Sequence, residues 1–159
     1  MRDIEYLFTS VNVWKQGGEL ALHKPLLLLF ALGHYRNGGE RLIPYKVADR
    51  NLILLFRQFA VNSAPPRTYF PFWRLRNDAI WEVERSELIR TTSQGDAWKT
   101  DLEKYNVGGG LTATIHACLL HDLALFDVAA DTIIQRFFAG YMRQELLQAV
   151  GLRKKNREP

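Results

Sequence analysis

The segment from Pro25 to Gly33, PLLLLFALG, restricts the fold more than any other part of the chain, because it is apolar at almost every position. A surface helix keeps a polar face, whereas a helix that is apolar all round has to be buried. Pro25 suits the first turn of a helix, where its missing amide would have had no partner. We therefore predict a central helix from His23 to a stop at Asn37–Gly39, with the other elements packed around it. The segment is shorter than the roughly 20 apolar residues that a membrane-spanning helix needs.

Apolar residues recur at helical spacing in several other segments. Asp3 can cap a first helix that runs to about Trp14. Residues 47–61 repeat the helical pattern, and two or three helical pieces follow Leu111. Residues 91–110 are polar and contain NVGGG, which predicts loops with at most one helical turn.

A short stretch in the middle of the chain alternates in the manner of a β-hairpin. The segments FWRLRN and IWEVE flank a turn of Asn, Asp and Ala. In such a hairpin Arg74 and Arg76 share one face and can pair across the strands with Glu82 and Glu84. The predicted fold class is therefore α+β, a predominantly helical single domain with a small central β-hairpin or sheet.

Length and composition agree with one folded domain. The chain has 159 residues, of which 47% are hydrophobic and 24% charged, as in ordinary globular proteins. We expect the domain to extend over residues 1–152, followed by a basic tail or linker at residues 153–159. Cys118 is the single cysteine, so an intrachain disulfide or a cysteine-based zinc site is excluded. Because the N-terminus is not signal-like, we predict a cytoplasmic location and no membrane partner.

The net charge of +4 is a weak indication of a polyanionic partner. Four basic residues and one acid in the last nine positions contribute +3, so residues 1–150 carry only +1. Positions of individual cations therefore matter more than the total charge.

Candidate catalytic or metal-binding residues do not form a convincing site. His116 and His121 are five residues apart in an apolar helix, a spacing that does not bring two ligands to one face. The nearby Asp122, Asp127 and Asp131 are better explained as helix caps. The run Gly108–Gly110 lacks the lysine and serine or threonine of a P-loop, although a flexible glycine loop would let backbone approach a ligand. We predict no catalytic residue, no metal and no cofactor.

The segment from Asn62 to Asp78 is the strongest candidate for a binding surface, since it crowds aromatic, proline and arginine residues together. Composition alone favours a packed hairpin with Phe72 and Trp73 in the core. The alternative is a rigid apolar surface ringed by cations, suited to a backbone phosphate that carries something less hydrated than oxygen. His23-Lys24-Pro25 is a second candidate, because a helix N-terminus with a lysine can bind phosphate.

Four segments in the same order resemble the sulfur-binding domain of phosphorothioation-dependent type IV restriction endonucleases, which are McrA-like and contain an HNH nuclease. They are HKPLLLLFALG, YFPFWRLRNDAIWEV, the NVGGGL loop and FFAGYMRQELLQAVGL. The resemblance covers about Trp14 to Leu152. It implies a domain that binds double-stranded DNA in which sulfur replaces a non-bridging phosphate oxygen.

The resemblance also implies site residues. An aromatic residue and the following proline form an apolar pocket for sulfur, and this pair falls on Phe70 and Pro71, with Tyr69 and His23 beside it. The family more often has tyrosine before this proline, so the Phe70 position lacks a hydroxyl. The residues implied as DNA contacts are Lys24, Arg67, Arg74, Arg90, Asn62 and Gly108.

Two other functions remain open at this point. One is a DNA- or RNA-binding domain of the same fold that does not distinguish sulfur. The other is a metal-dependent nuclease that uses His116, His121 and the nearby acids. In the related enzymes such a domain commonly precedes an HNH nuclease module, which nothing in this chain resembles. We therefore expect a recognition domain, with a linked HNH nuclease domain as a possible partner.

Overall fold

A computed structural model describes residues 3–11, 15–16, 19–20, 22–59, 67–138 and 140–153. The helices and strands, in chain order, are α1 (Asp3–Thr9), β1 (Lys15–Gln16), β2 (Glu19–Leu20), α2 (His23–Arg36), β3 (Ile43–Pro44), α3 (Tyr45–Phe59), α4 (Tyr69–Arg74), β4 (Trp81–Val83), α5 (Lys99–Tyr105), β5 (Gly108–Leu111), α6 (Ala113–His121), α7 (Ala124–Phe137) and α8 (Arg143–Ala149). Short 3₁₀ helices lie at Leu75–Asp78, Ser86–Leu88 and Gly140–Met142. The predicted α+β class, mainly helical with a small sheet, is confirmed.

The central helix forms as predicted. α2 begins at His23, carries Pro25 in its first turn and ends at Arg36. The side chains of Leu26 to Leu29 are fully buried, and α2 packs against α3, α4 and α7. Within the described part of the chain no helix has the length and apolar character to cross a membrane.

Other helices match their predictions less closely. α1 ends at Thr9, short of the predicted end, and Trp14 lies outside the described residues. The Thr9 hydroxyl donates to the Glu5 carbonyl oxygen over 2.8 Å. α5 has seven residues where at most one turn was predicted. The prediction of two or three helical pieces after Leu111 is confirmed by α6, α7 and α8.

The central sheet has the strand order β3-β5-β4 and is antiparallel. β5 is the segment GGGL, so the prediction of a loop there was wrong. The missing side chains explain the strand, because a Cβ atom on Gly109 would lie 2.7 Å from the Cζ atom of Phe72. Glycine thus lets the backbone of the middle strand approach the core closely.

The predicted β-hairpin was wrong, although β4 lies where its second strand was expected. The first arm is helical, comprising α4 and the 3₁₀ helix that follows, and β4 pairs with β5 instead. Pro71 directly precedes the predicted arm and suits the first turn of a helix, where it lies in α4. The expected cross-strand ion pairs are absent from the described residues: Arg74 pairs with Asp96, and Glu82 pairs with Arg41.

Candidate nucleic-acid interface

Two arginine side chains lie over the ring of Phe70. It is half-buried at the start of α4, with the Cζ atom of Arg74 4.1 Å and that of Arg67 5.5 Å from its centroid. Tyr69 meets the same ring edge-on at a centroid distance of 4.8 Å. Cations over an aromatic face are attracted by its quadrupole. The result is a half-buried apolar ring with two positive charges over it.

The residues after Phe70 form the support of this ring. Pro71, Phe72 and Trp73 are all buried. Phe72 packs edge-on against Tyr45 at 5.1 Å, and the Trp73 Nε1 donates to the Gly95 carbonyl oxygen over 2.9 Å. The interpretation of Phe72 and Trp73 as core is confirmed. Pro71 is more deeply placed than a surface contact would be.

A buried hydroxyl network fixes the beginning of α4. Thr68 is almost completely buried, and its hydroxyl donates to a carboxylate oxygen of Asp49. The Tyr45 hydroxyl lies 3.0 Å from the same Thr68 oxygen. Burial is the main reason why the pKa of Tyr45 is raised above its ordinary value. Through this network α3 holds α4, and therefore the Phe70 ring, in place.

His23 and Lys24 open α2 on the same side. The His23 ring packs edge-on against Phe56 at 4.8 Å. Burial, and then the positive charge of Arg74, lower the pKa of His23, so its imidazole is neutral at pH 7. The Lys24 Nζ lies 2.6 Å from the Asp78 Oδ2, and the two side chains are only 13% and 5% exposed. A phosphate would have to compete with this carboxylate for Lys24.

Arg74 is oriented by a carboxylate. Its Nε donates to the Asp96 Oδ1 over 2.6 Å, and its Nη2 donates to the Asp96 Oδ2 over 2.9 Å. The hydrogen bond and the charge of Arg74 hold the pKa of Asp96 below its usual range. A bidentate pair of this kind fixes the orientation of the guanidinium and also stabilises the contact.

Arg90 has a similar arrangement with a carboxylate of α5. Its backbone amide, Nε and Nη2 all donate to the Asp101 carboxylate over 2.9 Å. Its Cζ lies 4.1 Å from the ring centroid of Trp98, and the guanidinium side chain stays 63% exposed. Hydrogen bonds from Arg90 lower the pKa of Asp101 to about 2. Arg90 is thus an exposed cation with a fixed direction.

Of the predicted DNA contacts, Gly108 is not a surface group, and Asn62 stays a prediction. Gly108 lies buried in β5, where its amide donates to the Glu84 Oε1 over 2.8 Å and its carbonyl accepts from the Glu84 amide over 2.9 Å. The premise of a flexible loop at this position is wrong, because both backbone groups are already bonded. Asn62 lies outside the described residues.

Arg76 differs from the other arginines of the segment. Its Cζ lies 3.6 Å from the ring centroid of Trp73, and burial lowers its pKa. The Nη1 atom is buried and has no hydrogen-bond partner among the described residues. Arg76 therefore belongs largely to the packing beneath the surface.

The sequence did not indicate the acidic partners. Asp96 stands 22 residues after Arg74, in the SQGD segment, and Asp101 stands 11 residues after Arg90. An acid in a glycine turn was the only signal for the first, and it names no partner. Trp98, which lies under Arg90, was also missed.

The alternative metal site is not assembled. His116 packs edge-on against Tyr35 at 4.8 Å, and the Asp122 Oδ1 accepts from the Ala124 amide over 3.2 Å. Asp131 accepts hydrogen bonds from Arg143. Across the described ranges, no three histidine, cysteine, aspartate or glutamate residues are grouped closely enough to hold a metal ion.

Comparison with known proteins identifies the family of the chain. A family model described as the ScoMcrA-like DNA sulfur-binding domain matches residues 2–155. The chain belongs to this family, which confirms the resemblance found in the sequence. A comparison with curated protein sequences gives no significant match.

Solved structures agree with the family. The sulfur-binding domain of ScoMcrA, solved in complex with phosphorothioated DNA, is 27% identical, with a TM-score of 0.82 over 93% of this chain and 94% of that one. The whole type IV phosphorothioation-dependent restriction endonuclease ScoMcrA is also 27% identical, with a TM-score of 0.81, and this chain spans 32% of its length. The sulfur-binding domain of SprMcrA, 20% identical with a TM-score of 0.76 over 95% of this chain and 93% of that one, shares the fold.

Proposed function

We propose that this domain binds double-stranded DNA carrying a phosphorothioate and that the sulfur lies against the ring of Phe70. The observation that carries the proposal is the match over nearly the whole chain to a 27% identical domain that binds phosphorothioated DNA. The half-buried Phe70 ring, with Arg67 and Arg74 over it, supports the position of the sulfur.

Discrimination between sulfur and oxygen follows from hydration. Sulfur is larger and more polarisable than oxygen and a poorer hydrogen-bond acceptor. An ordinary phosphate oxygen pressed against the Phe70 ring loses water that the ring cannot replace. Sulfur loses less. A pocket that distinguishes one small group in this way provides roughly 1–3 kcal/mol.

The other residues have supporting roles in this proposal. Pro71 lies beneath Phe70 and stiffens the first turn of α4, so its contribution to sulfur contact comes through the position of the ring. The neutral His23 and Tyr69 extend the apolar wall. Arg67 and Arg90 contact flanking phosphates, which supply most of the salt-dependent affinity.

We further propose that the domain is the recognition part of a modification-dependent restriction system. The similarity to a type IV endonuclease of which this chain spans about a third supports this role. In this proposal a linked nuclease module cleaves the DNA. In the related enzymes this module is of the HNH type. We also propose a cytoplasmic location, because the proposed target is cellular or incoming DNA.

A binding comparison tests the proposal directly. The affinities of the chain for two identical duplexes, one with a single sulfur, are measured by fluorescence anisotropy with EDTA present. We expect the sulfur-containing duplex to bind about 5- to 150-fold more tightly, corresponding to 1–3 kcal/mol. Equal affinities would instead support a DNA-binding domain that ignores sulfur. Magnesium-dependent cleavage by the chain alone would support the nuclease alternative.

A further inference from the structure

We propose that Asp96 is a positioning residue that sets the preference for sulfur by holding Arg74 over Phe70 and occupying donors that an unmodified phosphate oxygen would need. The inference rests on the proposed function. In this arrangement Arg74 offers directed hydrogen bonds to a phosphate beside the ring, but it does not attract unmodified DNA as a bare cation would.

The geometry of the pair leaves part of the guanidinium available. Arg74 uses its Nε and one N–H of Nη2 for Asp96. A guanidinium has five N–H donors in a fixed plane, so both N–H groups of Nη1 and the second of Nη2 point away from the carboxylate. The Arg74 side chain is 44% exposed, whereas Asp96 is only 15% exposed. A phosphate can therefore approach Arg74 while Asp96 stays in place behind it.

Asp96 is held rigidly by the turn that contains it. The Thr92 amide donates to the Asp96 carbonyl oxygen over 2.8 Å, and the Asp96 amide donates to the Thr92 Oγ1 over 3.2 Å. Gly95 adopts a φ of +85°, which favours glycine, and its carbonyl accepts from the Trp73 indole. Because Trp73 precedes Arg74 in α4, the carboxylate and the guanidinium are anchored to the same element.

The pair with Asp96 affects the two kinds of DNA differently. A carboxylate bonded to Arg74 reduces the general attraction of this cation for the DNA backbone, and both duplexes share this loss. The same carboxylate occupies the Nε and one Nη2 donor of Arg74 beside the ring, so these donors cannot bind a phosphate oxygen that is pressed against Phe70. Sulfur is a poorer hydrogen-bond acceptor and needs these donors less, so their occupation penalises unmodified DNA more.

The substitution Asp96→Asn tests this role in the full chain. The same two duplexes are titrated at several salt concentrations. We expect unmodified DNA to bind more tightly and with a steeper salt dependence, by up to about one unit in the slope of log K against log salt. Affinity for the sulfur-containing duplex changes less, so the sulfur preference falls by about fivefold, the size of one exposed charge pair. Asp131→Asn is the matched control, because it frees Arg143 from a carboxylate and changes the net charge equally.

A second variant keeps the test decisive if Asp96→Asn unfolds. Arg74→Lys preserves the charge but cannot make a bidentate pair, and we expect it to lower the sulfur preference as well. Folding of each variant is checked by circular dichroism. A folded variant that retains the wild-type preference, or an equal loss in Asp131→Asn, would overturn the role of Asp96. Absence of any preference in the wild-type chain would instead overturn the proposed function itself.

Discussion

Two neighbouring residues of α4 have different surroundings and therefore different roles. The Phe70 ring is half-buried with two guanidiniums over it, whereas Pro71 is buried. A substitution at Pro71 changes the helix start and the packing together with any contact to DNA. Phe70 is thus the position at which the sulfur contact can be tested with the least disturbance of the core.

Phe70→Ala removes the apolar face without removing a cation. We expect affinity for the sulfur-containing duplex to fall about tenfold, within the 1–3 kcal/mol of such a contact, and affinity for the unmodified duplex to change less. Anisotropy titrations of both duplexes measure the two effects. Phe70→Tyr retains the ring and should retain the preference. If Phe70→Ala weakens both duplexes equally, the sulfur is read elsewhere.

Among the elements, β5 determines how closely α4, which carries Phe70 and Arg74, approaches the core. Gly109 lies in the middle strand, directly against the ring of Phe72. Phe72 belongs to the same helix as Phe70 and Arg74. Because Gly109 has no side chain, α4 packs directly against the backbone of β5 through Phe72.

We expect Gly109→Ala to lower the free energy of unfolding by roughly 1–3 kcal/mol, because the new methyl group overpacks a full core. Urea denaturation measures the change. Gly140→Ala is the control, since a Cβ atom there would meet nothing within 4 Å. A Gly109 variant as stable as the Gly140 variant would contradict this account of the strand.

The elements differ in how far the sequence predicts them. α2 was predictable because an apolar run with Pro25 in its first turn has few other solutions. α4 was not, because six alternating residues also suit a short helix, and the choice depends on contacts of Trp73 and Phe72 with distant segments. The GGGL strand was missed for the same reason. Its three glycines carry no strand pattern, and the strand forms because it pairs with β3 and β4. Within the candidate site, the resemblance indicates Phe70, whereas the pairing of Arg74 with Asp96 becomes visible only in the folded structure.

Across the whole molecule, ion pairs join segments that are distant in the chain. Lys24 reaches Asp78, Arg74 reaches Asp96, and Arg90 reaches the carboxylate of Asp101 on α5. The Arg74–Asp96 pair lies beside the Phe70 ring and joins α4 to the turn that contains Asp96. Conditions that neutralise these carboxylates should therefore loosen the surface as well as the fold.

Acid should weaken the fold through Asp101. Its pKa of about 2 in the folded chain lies below the value of about 3.9 expected in the unfolded chain. Ionisation therefore favours the folded state, and this stabilisation is complete above about pH 4 and is lost as the pH falls towards 2. We expect Asp101→Asn to unfold at lower urea concentration than the wild type at pH 7, and the difference to shrink with acidification.

The control for this measurement lies on the same helix. Glu103 approaches the exposed Lys99 only to 4.0 Å, so Glu103→Gln should change stability little at any pH. A difference between wild type and Asp101→Asn that stays constant from pH 6 to pH 3 would show that the Arg90 pair does not contribute in this way.

The packing of α7 against both α1 and α2 also has a consequence for synthesis on the ribosome. α7 begins at Ala124, so about three quarters of the chain must be made before its apolar face becomes available to the first two helices. Until then the leucines of α2 lack part of their final surroundings, and exposed apolar segments of this kind favour aggregation of nascent chains. Fragments that end before α7 should accordingly be insoluble, and the domain becomes a stable unit only when its last helices have emerged.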